Sequence, residues 1–594
     1  MPVASHRIRY VLLALVLSWM ALMLLTRPAR GAWSADPVEV HATTALCPAV
    51  SAVDDGHYGA IIVWQENTAT GGMLKAHHLL ASGELDPAWG APVAVSNIDA
   101  ARVAIGAVSD VAGGAYIWWM ENTALWLNHL TANGTIAAGW LARGRNVGSV
   151  PYTTKYRPTA IADGAGGVYL GWLTQPFIFD NTVNVRILHL GPTGAGAGGW
   201  PAGGRAYGLV GDAGVTVSTF GIDAATPDGL WLGWQTVVIG IQDLLLPGEL
   251  RVARLAASGL PASGWTTDGV VLAPYDAAFM NNLALGWSFA PAASQTAIAH
   301  DSDGGAFIVA SQGVTDGTDL VFHNTLRHVD GLGAPAEGWG ADGVNLGDVY
   351  PIGTPDPGAN GSLRAFADQH GGVFSGLPFF ASEGTAAMTF SRRSAAGDPL
   401  PGGIGADQRG IEYAARGDGG MFVASFKPSG ANGPFEADAY ISVGQSSPGA
   451  GFYESKMSGP NTRYGDIGLT ATGDGGAIFA WSQLIDRQGV YAIRLSQAGP
   501  VTGVRPTPVV GPPSLRVRFV RGSGVHAVAS FSAAQRVSLG LYDLAGRSVA
   551  SFTSDATLGA DVVLPGTRDL PGGVYFVRAS DGTRVLGARV IVMP

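Results

Sequence analysis

A glycine-rich turn that runs into an apolar strand recurs eight times along this chain, and it constrains the fold more than any other feature of the sequence. Typical copies are DGAGGVYLGW (Asp163 to Trp172) and DSDGGAFIVA (Asp301 to Ala310). The closing glycines lie 48 to 76 residues apart and are Gly59, Gly114, Gly167, Gly229, Gly305, Gly372, Gly420 and Gly476. Such spacing is typical of one supersecondary unit that carries loops of different lengths.

Each repeat has the elements of a small antiparallel sheet. A second motif, such as HLTANG (His129 to Gly134), follows the turn in seven copies, and in most of these a Trp comes six or seven residues later. Another short β-prone segment ends the unit, so the pattern predicts four strands per repeat. The strand after the turn is apolar at nearly every position, as in Ala60 to Trp64. We therefore expect it to be buried on both faces.

A ring of stacked sheets buries both faces of every sheet, so the repeats predict an all-β fold built on a β-propeller. We expect eight blades, with seven as the alternative because the sixth and seventh copies are degenerate. The segment Asp36 to Thr44 resembles the fourth strand of the first unit, whereas the eighth unit lacks a good fourth strand of its own. We predict that the N-terminal strand completes the last blade and leaves no open sheet edge.

Composition narrows the class of protein. The 594 residues include 87 glycines, 47% are apolar and only 13% are charged, which excludes a disordered chain. The net charge of -10 and the lack of a basic stripe argue against a nucleic-acid partner. Cys47 is the only cysteine, so no intramolecular disulfide can form, and we expect it to be a small buried group. We expect a monomer.

The first 34 residues have the order of a secretory signal peptide. Basic residues precede the apolar run Tyr10 to Leu25, and Ala32-Trp33-Ser34 offers a cleavage site. The run is short for a membrane helix, so we predict no transmembrane helix in the mature chain, with a retained signal anchor as the alternative. The mature protein is expected to work outside the cytoplasm.

The sequence changes character after the repeats, which occupy residues 35–505. A proline-rich linker, residues 506–513, precedes a segment of short alternating strands. Its last two strands are predicted to be joined by Ser580-Asp581-Gly582 and to end on Met593-Pro594, without a basic residue in the final strand. Residues 514–594 are therefore predicted to form a small immunoglobulin-like β-sandwich.

Two resemblances add an expectation about export. The repeats, with their DGxGGxxxxW, RLxxxG and GW motifs, resemble propeller-like regions of large secreted bacterial proteins that use the type IX secretion route. The C-terminal segment resembles the sorting domain of type IX cargo and the related immunoglobulin-like domain of the flagellar hook-capping protein. The matching motifs are YDLAGR (Tyr542 to Arg547) and LPGGVYFVR (Leu570 to Arg578), with Tyr542, Asp543, Gly546, Arg547, Gly573 and Tyr575 as the motif residues.

These resemblances imply recognition of the C-terminal domain by the secretion machinery. They also imply a location outside the cell or on the outer surface of a Gram-negative-type bacterium. The resemblance leaves open whether the domain is then cleaved, and it implies that the propeller is either tethered to surface lipopolysaccharide or released.

Two sets of recurring polar residues are interpreted as structural. Asp301 and Asp303 resemble the start of a calcium loop, but most other turns lack the acids that Ca²⁺ needs, so the aspartates are expected to bond to turn NH groups. The histidines His78, His129, His189 and His328 share their position with arginines in other copies. We interpret this as a solvent-facing strand position and predict neither a metal site nor a cofactor. Thr472, Asp474, Gly476 and Phe479 resemble the turn motif of sialidases, which is structural there too.

A third set is the candidate ligand-facing ring, which lies two residues beyond each apolar strand and would converge on one face of a propeller. It consists of Glu66, Glu121, Thr174, Thr236, Gln312, Lys427 and Gln483. Glu66 and Glu121 are the candidate pair for glycosidase chemistry, which needs two carboxyls about 5 to 9 Å apart.

Three functions remain open at this stage. The favoured one is a non-catalytic secreted or cell-surface propeller that binds a glycan, a polymer or a protein partner, with no residue assigned as catalytic. An extracellular glycan hydrolase or lyase with a divergent acidic site is the first alternative. A structural surface-layer component is the second.

Overall fold

The fold is seen in a computed structural model, which describes most of the chain from residue 37 onward. The predicted signal peptide (residues 1–34) and linker (506–513) lie outside the described residues. Those described are 37–102, 104–150, 158–174, 183–208, 215–225, 229–239, 245–274, 296–301, 303–316, 319–349, 363–380, 386–400, 405–406, 409–416, 419–428, 437–444, 452–456, 464–483, 488–496, 499–500, 514–520, 524–530, 537–544, 546–554, 561–568, 570–580 and 585–592.

The chain divides into two compact units, residues 1–505 and 506–594. All regular elements in the described ranges are β-strands. No described segment forms a helix with the length and apolar character that crossing a membrane requires.

The described part of the first unit contains eight antiparallel sheets, numbered here in chain order. The first strand of the chain, β1 (Val38–Ala42), belongs to sheet 8. Sheets 1 to 4 consist of β2 (Ala49–Asp54), β3 (Ala60–Asn67), β4 (Gly72–Leu79) and β5 (Val93–Ala94); β6 (Ala104–Ser109), β7 (Ala115–Glu121), β8 (Ala124–Leu130) and β9 (Arg145–Ser149); β10 (Thr159–Ala162), β11 (Val168–Thr174), β12 (Asn184–Leu190) and β13 (Arg205–Tyr207); and β14 (Val215–Ala224), β15 (Leu230–Ile239), β16 (Leu245–Leu255) and β17 (Val270–Ala273).

Sheets 5 to 8 have the same order of strands, with one short extra strand in sheet 6 and one in sheet 8. They consist of β18 (Thr296–His300), β19 (Ala306–Asp316), β20 (Asp319–Val329) and β21 (Val344–Val349); β22 (Arg364–Ala367), β23 (Val373–Phe380), β24 (Ala386–Arg393), β25 (Pro399–Leu400) and β26 (Gly405–Ala406); β27 (Arg409–Ala415), β28 (Met421–Pro428), β29 (Ala437–Gly444) and β30 (Phe452–Lys456); and β31 (Tyr464–Ala471), β32 (Ala477–Gln483), β33 (Gly489–Ser496) and β34 (Gly499–Pro500), joined by β1.

The glycine turns join the first two strands of each sheet, and sheet 3 shows why two adjacent glycines are favoured. Gly166 has a positive φ of 90°, a conformation that L-residues with side chains rarely adopt. A Cβ on Gly167 would lie only 2.5 Å from the carbonyl oxygen of Leu190 on β12. The Asp163 carboxylate accepts hydrogen bonds from the backbone NH of Ala165 and of Gly167, both at 2.7 Å. The prediction that the turn aspartates bond to turn NH groups is confirmed here.

The second strand of each repeat is buried from both sides, as predicted. All seven residues of β32 are buried, and so are residues 60 to 65 of β3. Apolar side chains of adjacent sheets share single cores, for example Ile62 and Trp64 of sheet 1 with Ile478 and Val490 of sheet 8. Burial of both faces by neighbouring sheets explains why these strands contain so few polar residues.

The N-terminal strand completes sheet 8, which confirms the prediction. β1 pairs antiparallel with β33, with Val38 opposite Ala492 and Ala42 opposite Gly489. The first and last sheets also meet at their first strands, where the Val50 NH donates to Asp466 Oδ2 at 3.2 Å and the Asp54 NH donates to Thr470 Oγ1 at 3.1 Å. Contacts between first strands also link sheets 1 to 6 in succession and sheet 7 to sheet 8.

The second unit consists of two sheets around one core. Sheet 9 has the order β35 (Ser514–Val520), β36 (Gly524–Ser530), β39 (Asp561–Val563), and sheet 10 has the order β38 (Ser548–Ser554), β37 (Val537–Tyr542), β40 (Gly573–Ser580), β41 (Val585–Val592). Val525 and Ala527 of sheet 9 pack with Leu541, Val577 and Val590 of sheet 10.

The expectation that the last strand lacks a basic residue is wrong, because β41 contains Arg589. The strand begins earlier than the terminal apolar run, since it pairs with β40 along its whole length, from Val585 opposite Ser580 to Val592 opposite Gly573. Its final predicted residues, Met593 and Pro594, lie outside the described residues.

Candidate functional site

The residues of the candidate ligand-facing ring lie on the second strands of their sheets, but their surroundings differ. Thr236 and Gln312 lie inside the longer strands β15 and β19 and are buried, as is Gln483 at the end of β32. Glu66, Glu121 and Thr174 are partly exposed. Lys427 lies on β28, next to its last residue. The two acidic members belong to neighbouring sheets. Glu66 lies at the junction of sheets 8 and 1, and Glu121 lies at the junction of sheets 1 and 2.

Glu66 fastens the N-terminal strand to sheet 1. Its Oε1 accepts a hydrogen bond from Thr43 Oγ1 at 2.5 Å and lies 3.2 Å from His41 Nε2, and its carboxylate forms an ion pair with Lys75 on β4. Burial raises the pKa of Glu66, but the hydrogen bonds from Lys75, Thr43 and His41 outweigh burial and lower it to about 2. Glu66 is therefore an anion at neutral pH and cannot act as a proton donor.

Glu121 takes part in a network between sheets 1 and 2. Its Oε1 accepts a hydrogen bond from Trp119 Nε1 at 2.9 Å and lies 3.7 Å from Arg102 Nη2. The Arg102 guanidinium is buried in the connection between the two sheets and donates to the carbonyls of Ile98 and Ala100 at 2.8 and 3.0 Å. Glu121 thus balances a buried cation that ties down this connection.

The recurring histidines form a network that the sequence analysis missed. They are buried, with 5 to 8% of each residue exposed, so the expectation of a solvent-facing position is wrong. Their Nε2 atoms lie 2.6 to 2.9 Å from Oδ2 of the turn aspartate of the same sheet, in the pairs His78 with Asp55, His129 with Asp110, His189 with Asp163 and His328 with Asp301. The other carboxylate oxygen of each aspartate remains bonded to the turn NH groups.

Strand register explains this pairing. β11 pairs with β12 so that Tyr169 lies opposite His189, and the two rings stack with centroids 4.0 Å apart. The imidazole reaches back from the third strand to the turn between the first two. Arginine makes the same connection in sheet 6, where Arg392 Nε donates to Asp368 Oδ2 at 2.7 Å. Both imidazole and guanidinium carry an N–H group that the aspartate can accept, so His and Arg fill the same role at this position.

Further hydrogen bonds connect sheets 1 to 6 in succession. The Trp of the loop between the third and fourth strands donates from Nε1 to a carbonyl in the corresponding loop of the following sheet, at 2.6 to 3.0 Å. These bonds are Trp89 to Ala132, Trp140 to Pro192, Trp200 to Ala257, Trp265 to Gly331 and Trp339 to Ala395. These tryptophans are therefore accounted for by bonds between sheets, and the recurring histidines by bonds within a sheet.

No cluster of three or more His, Cys, Asp and Glu side chains suited to hold a metal ion occurs among the described residues. Cys47 is buried, which raises the pKa of its thiol to about 12. Together these contacts make the described part of the repeats a scaffold whose polar groups are largely occupied.

His78 provides a test of the aspartate–histidine pairs, because its two ring nitrogens lie 2.8 Å from Asp55 and from Asp86. Burial lowers the pKa of His78, but hydrogen bonds to both carboxylates outweigh burial and raise it above its ordinary value. A raised pKa contributes stability below about pH 6.5, and this contribution is lost as the pH rises through the folded-state pKa. We expect His78→Gln to lower the free energy of unfolding by about 2 kcal/mol at pH 6, and by less at pH 9.

Urea unfolding followed by tryptophan fluorescence measures this loss in the first unit alone, because the second unit has no tryptophan. The control is His370→Gln, which changes an exposed histidine of a turn and is expected to have little effect. An equal loss for His78→Gln at both pH values would contradict the charged pairing.

The motif residues of the second unit form a turn and an open groove. Asp543 holds the turn, since its carboxylate accepts from the NH of Arg547 at 2.9 Å and from Arg547 Nε at 2.8 Å. Gly546 has a positive φ of 76° and its NH donates to the Asp543 carbonyl at 2.9 Å. Gly573 begins β40, and Tyr575 donates from its hydroxyl to the Pro571 carbonyl at 3.0 Å. Tyr542 lines the groove, which has a volume of about 560 Å³.

No protein-family model and no curated protein matches this sequence. Among solved structures, a polysaccharide lyase, Uly1, is 7% identical with a TM-score of 0.36 over 79% of this chain and 93% of its own. A protein of unknown function from Dyadobacter fermentans is 9% identical, with a TM-score of 0.30 over 60% of this chain and 97% of its own. The NanB sialidase of Streptococcus pneumoniae is 9% identical, with a TM-score of 0.27 over 79% and 70%. Similarity at this level carries no inference about the activity of this chain.

Proposed function

We propose that the first unit is a closed eight-bladed propeller that serves as a non-catalytic binding scaffold for a glycan, a polymer or a protein partner outside the cytoplasm. The closed ring is supported by the eight sheets of the described residues, by β1 in sheet 8, and by the bonds of Asp466 and Thr470 to the first strand of sheet 1. Closure covers the edge of β33 with β1 and leaves each sheet with only a short outer strand at its edge.

One observation carries the non-catalytic assignment: both acids of the candidate glycosidase pair are bonded to the scaffold. Glu66, with a pKa of about 2, is held by groups from β1 and β4 and cannot be the general acid that a glycosidase needs. Glu121 is engaged by Trp119 and lies near the buried cation Arg102. These contacts give each carboxylate a structural role.

We further propose that the second unit is an immunoglobulin-like domain that takes the chain through a type IX-like secretion route. Its strand order, three strands in one sheet and four in the other with β37 beside β40, supports an immunoglobulin-like sandwich. The Tyr575 hydroxyl, bonded to a carbonyl four residues upstream, corresponds to the tyrosine corner of such domains. Export itself rests on the YDLAGR and LPGGVYFVR motifs and on the predicted signal peptide in residues 1–34.

A turnover screen tests the scaffold function against the enzyme alternative. The purified chain and its Glu66→Gln and Glu121→Gln variants are incubated with acidic and neutral polysaccharides, and new reducing ends and unsaturated uronates are measured alongside retention on the same polysaccharides. We expect no products from any of the three proteins, and equal retention of the three. Product formation that is lost in either variant would instead establish a glycan hydrolase or lyase with these acids in its site.

A further inference from the structure

The groove of about 560 Å³ lies on the outer face of sheet 10. The pairing of three strands determines which side chains line it. Tyr542 on β37 lies opposite Phe576 on β40, and Phe576 lies opposite Arg589 on β41. In the adjacent row, Arg578 lies between two glycines, Gly540 and Gly587. These positions alternate with the buried Val577 and Val590 and therefore face away from the core.

The groove combines an exposed aromatic ring with two exposed cations, and the carboxylate that also lines it, Asp543, is paired with Arg547. Phe576 is 43% exposed, which is high for a large apolar residue of a strand interior. Arg578 and Arg589 are diagonal neighbours on adjacent strands, a relation that places side chains about 7 to 8 Å apart. Neither guanidinium has an ion-pair partner among the described residues. Gly587 leaves the floor open, since no atom lies within 4 Å of the place where a Cβ would be.

Charge separates this unit from the rest of the chain. Residues 506–594 contain nine arginines, no lysine, five aspartates and no glutamate, which gives a net charge of +4. Residues 1–505 have a net charge of -14. Because arginine binds carboxylate with two parallel hydrogen bonds, a groove with two unpaired arginines is complementary to an anionic ligand.

We propose that this groove binds an acidic polysaccharide, with sugar rings on Phe576 and their carboxylates on Arg578 and Arg589. A sugar chain provides apolar C–H faces for an aromatic ring and acidic groups at regular intervals for the two cations. The site goes beyond the proposed function, because it lies on the second unit and uses none of the repeats. Variants in the two units therefore test the two proposals separately.

An extended acidic peptide is the main competing ligand, and the strand arrangement argues against it. A peptide bound to a β-domain gains much of its affinity by adding a strand to a free sheet edge. β41 is the edge of sheet 10 next to the groove, and β35 packs against it. A ligand in the groove must therefore bind through side chains, which suits a glycan.

The test compares polygalacturonate with its fully methyl-esterified form, which has the same backbone without the charge. Binding to the purified full chain is measured by isothermal titration calorimetry at low salt. We expect polygalacturonate to bind and the ester to bind at least tenfold more weakly. Arg578→Gln and Arg589→Gln are each expected to weaken binding about tenfold, as for loss of a hydrogen bond to a charged group. Gly587→Leu, which fills the groove, is expected to abolish it.

Arg568→Gln is the matched control, because Arg568 is an exposed arginine of the same unit that does not line the groove. It is expected to bind as the unchanged protein does. Circular dichroism checks that Gly587→Leu is folded, and the two arginine variants decide the result if it is not.

Four results would overturn the proposal. They are no binding of polygalacturonate, equal binding of the ester, equal weakening by Arg568→Gln, and binding of poly-glutamate with the same dependence on Arg578 and Gly587. The third result would indicate diffuse charge attraction, and the fourth would indicate a peptide groove.

Discussion

Val40→Asp is expected to lower the free energy of unfolding of the first unit by about 3 kcal/mol or more. Val40 is 3% exposed and packs with Trp64 of sheet 1 and Val490 of sheet 8. An aspartate at this position puts a carboxylate into the core that the closing strand shares with both sheets. Urea unfolding followed by tryptophan fluorescence measures the loss, and gel filtration tests whether release of β1 exposes the edge of β33 and causes association.

Ala42→Asp provides the matched control for this change. Ala42 is on the same strand and gains the same charge, but it is exposed, so the expected loss is within about 0.5 kcal/mol. The difference between the two variants is also expected to shrink in acid, because a buried aspartate becomes neutral there. Equal stability of the two variants at neutral pH would mean that β1 does not pack between sheets 1 and 8.

Asp110→Ala is expected to cost about 3 to 5 kcal/mol, because it leaves the His129 ring and two NH groups of the turn buried without their acceptor. Asp110 Oδ1 accepts from the NH of Ala112 at 2.7 Å and of Gly114 at 2.8 Å, and Oδ2 lies 2.8 Å from His129 Nε2. Asp110→Asn retains the first oxygen and loses the charge, so its expected loss is about half as large. Urea unfolding at pH 7 separates the contribution of the turn from that of the contact with His129.

The pH dependence of the Asp110 variants has a defined sign. Burial raises the pKa of Asp110, but the hydrogen bonds from His129 and from the two turn NH groups outweigh burial and lower it. A lowered pKa contributes stability above about pH 3.9, and this contribution is lost as the pH falls through the folded-state pKa. We therefore expect the penalty of Asp110→Ala to diminish below about pH 4. A penalty that stays constant down to pH 3 would contradict the ionic pairing.

The repeat pattern predicts the strands and turns well, because each of these features depends on residues close in sequence. The glycine pairs, such as Gly166 and Gly167, mark turns in which one residue has a positive φ and the next lies close to a carbonyl of the neighbouring strand. The long apolar runs identify strands covered on both faces. The role of β1 also follows from the sequence, because the last repeat lacks a fourth strand and a segment that resembles a fourth strand precedes the first repeat.

The aspartate–histidine pairs were missed because they depend on which residues of neighbouring strands lie opposite each other. The sequence of a single repeat does not specify this register. A comparison among the repeats contains the signal. Sheet 7 has Arg416 in place of the turn aspartate and Val443 in place of the histidine, so acid and base are lost together. There the Arg416 guanidinium lies 5.4 Å from the Phe422 ring, in the stacking role that His189 has on Tyr169 in sheet 3.

The contacts of the candidate ligand-facing ring show a second limit of prediction from sequence. Equivalent positions in a repeat share a backbone environment, but their partners come from elements that are not repeated. Glu66 meets His41 and Thr43 only because β1 lies beside sheet 1, and Glu121 meets Arg102 in a connection peculiar to sheets 1 and 2. A resemblance of position therefore does not predict a resemblance of role.

The pairing of β1 with β33 also sets an order of events in time. Residues 38–42 leave the ribosome long before their partners, residues 489–492, which are made when the first unit is nearly complete. Contacts so distant in sequence form late, because the intervening chain must be ordered first. Until then sheet 1 lacks the neighbour that covers Ile62 and Trp64, and the growing chain is an open array with an exposed apolar face at each end. The first unit can therefore be completed only after its last sheet has been made. Until then its exposed apolar faces can be bound by chaperones.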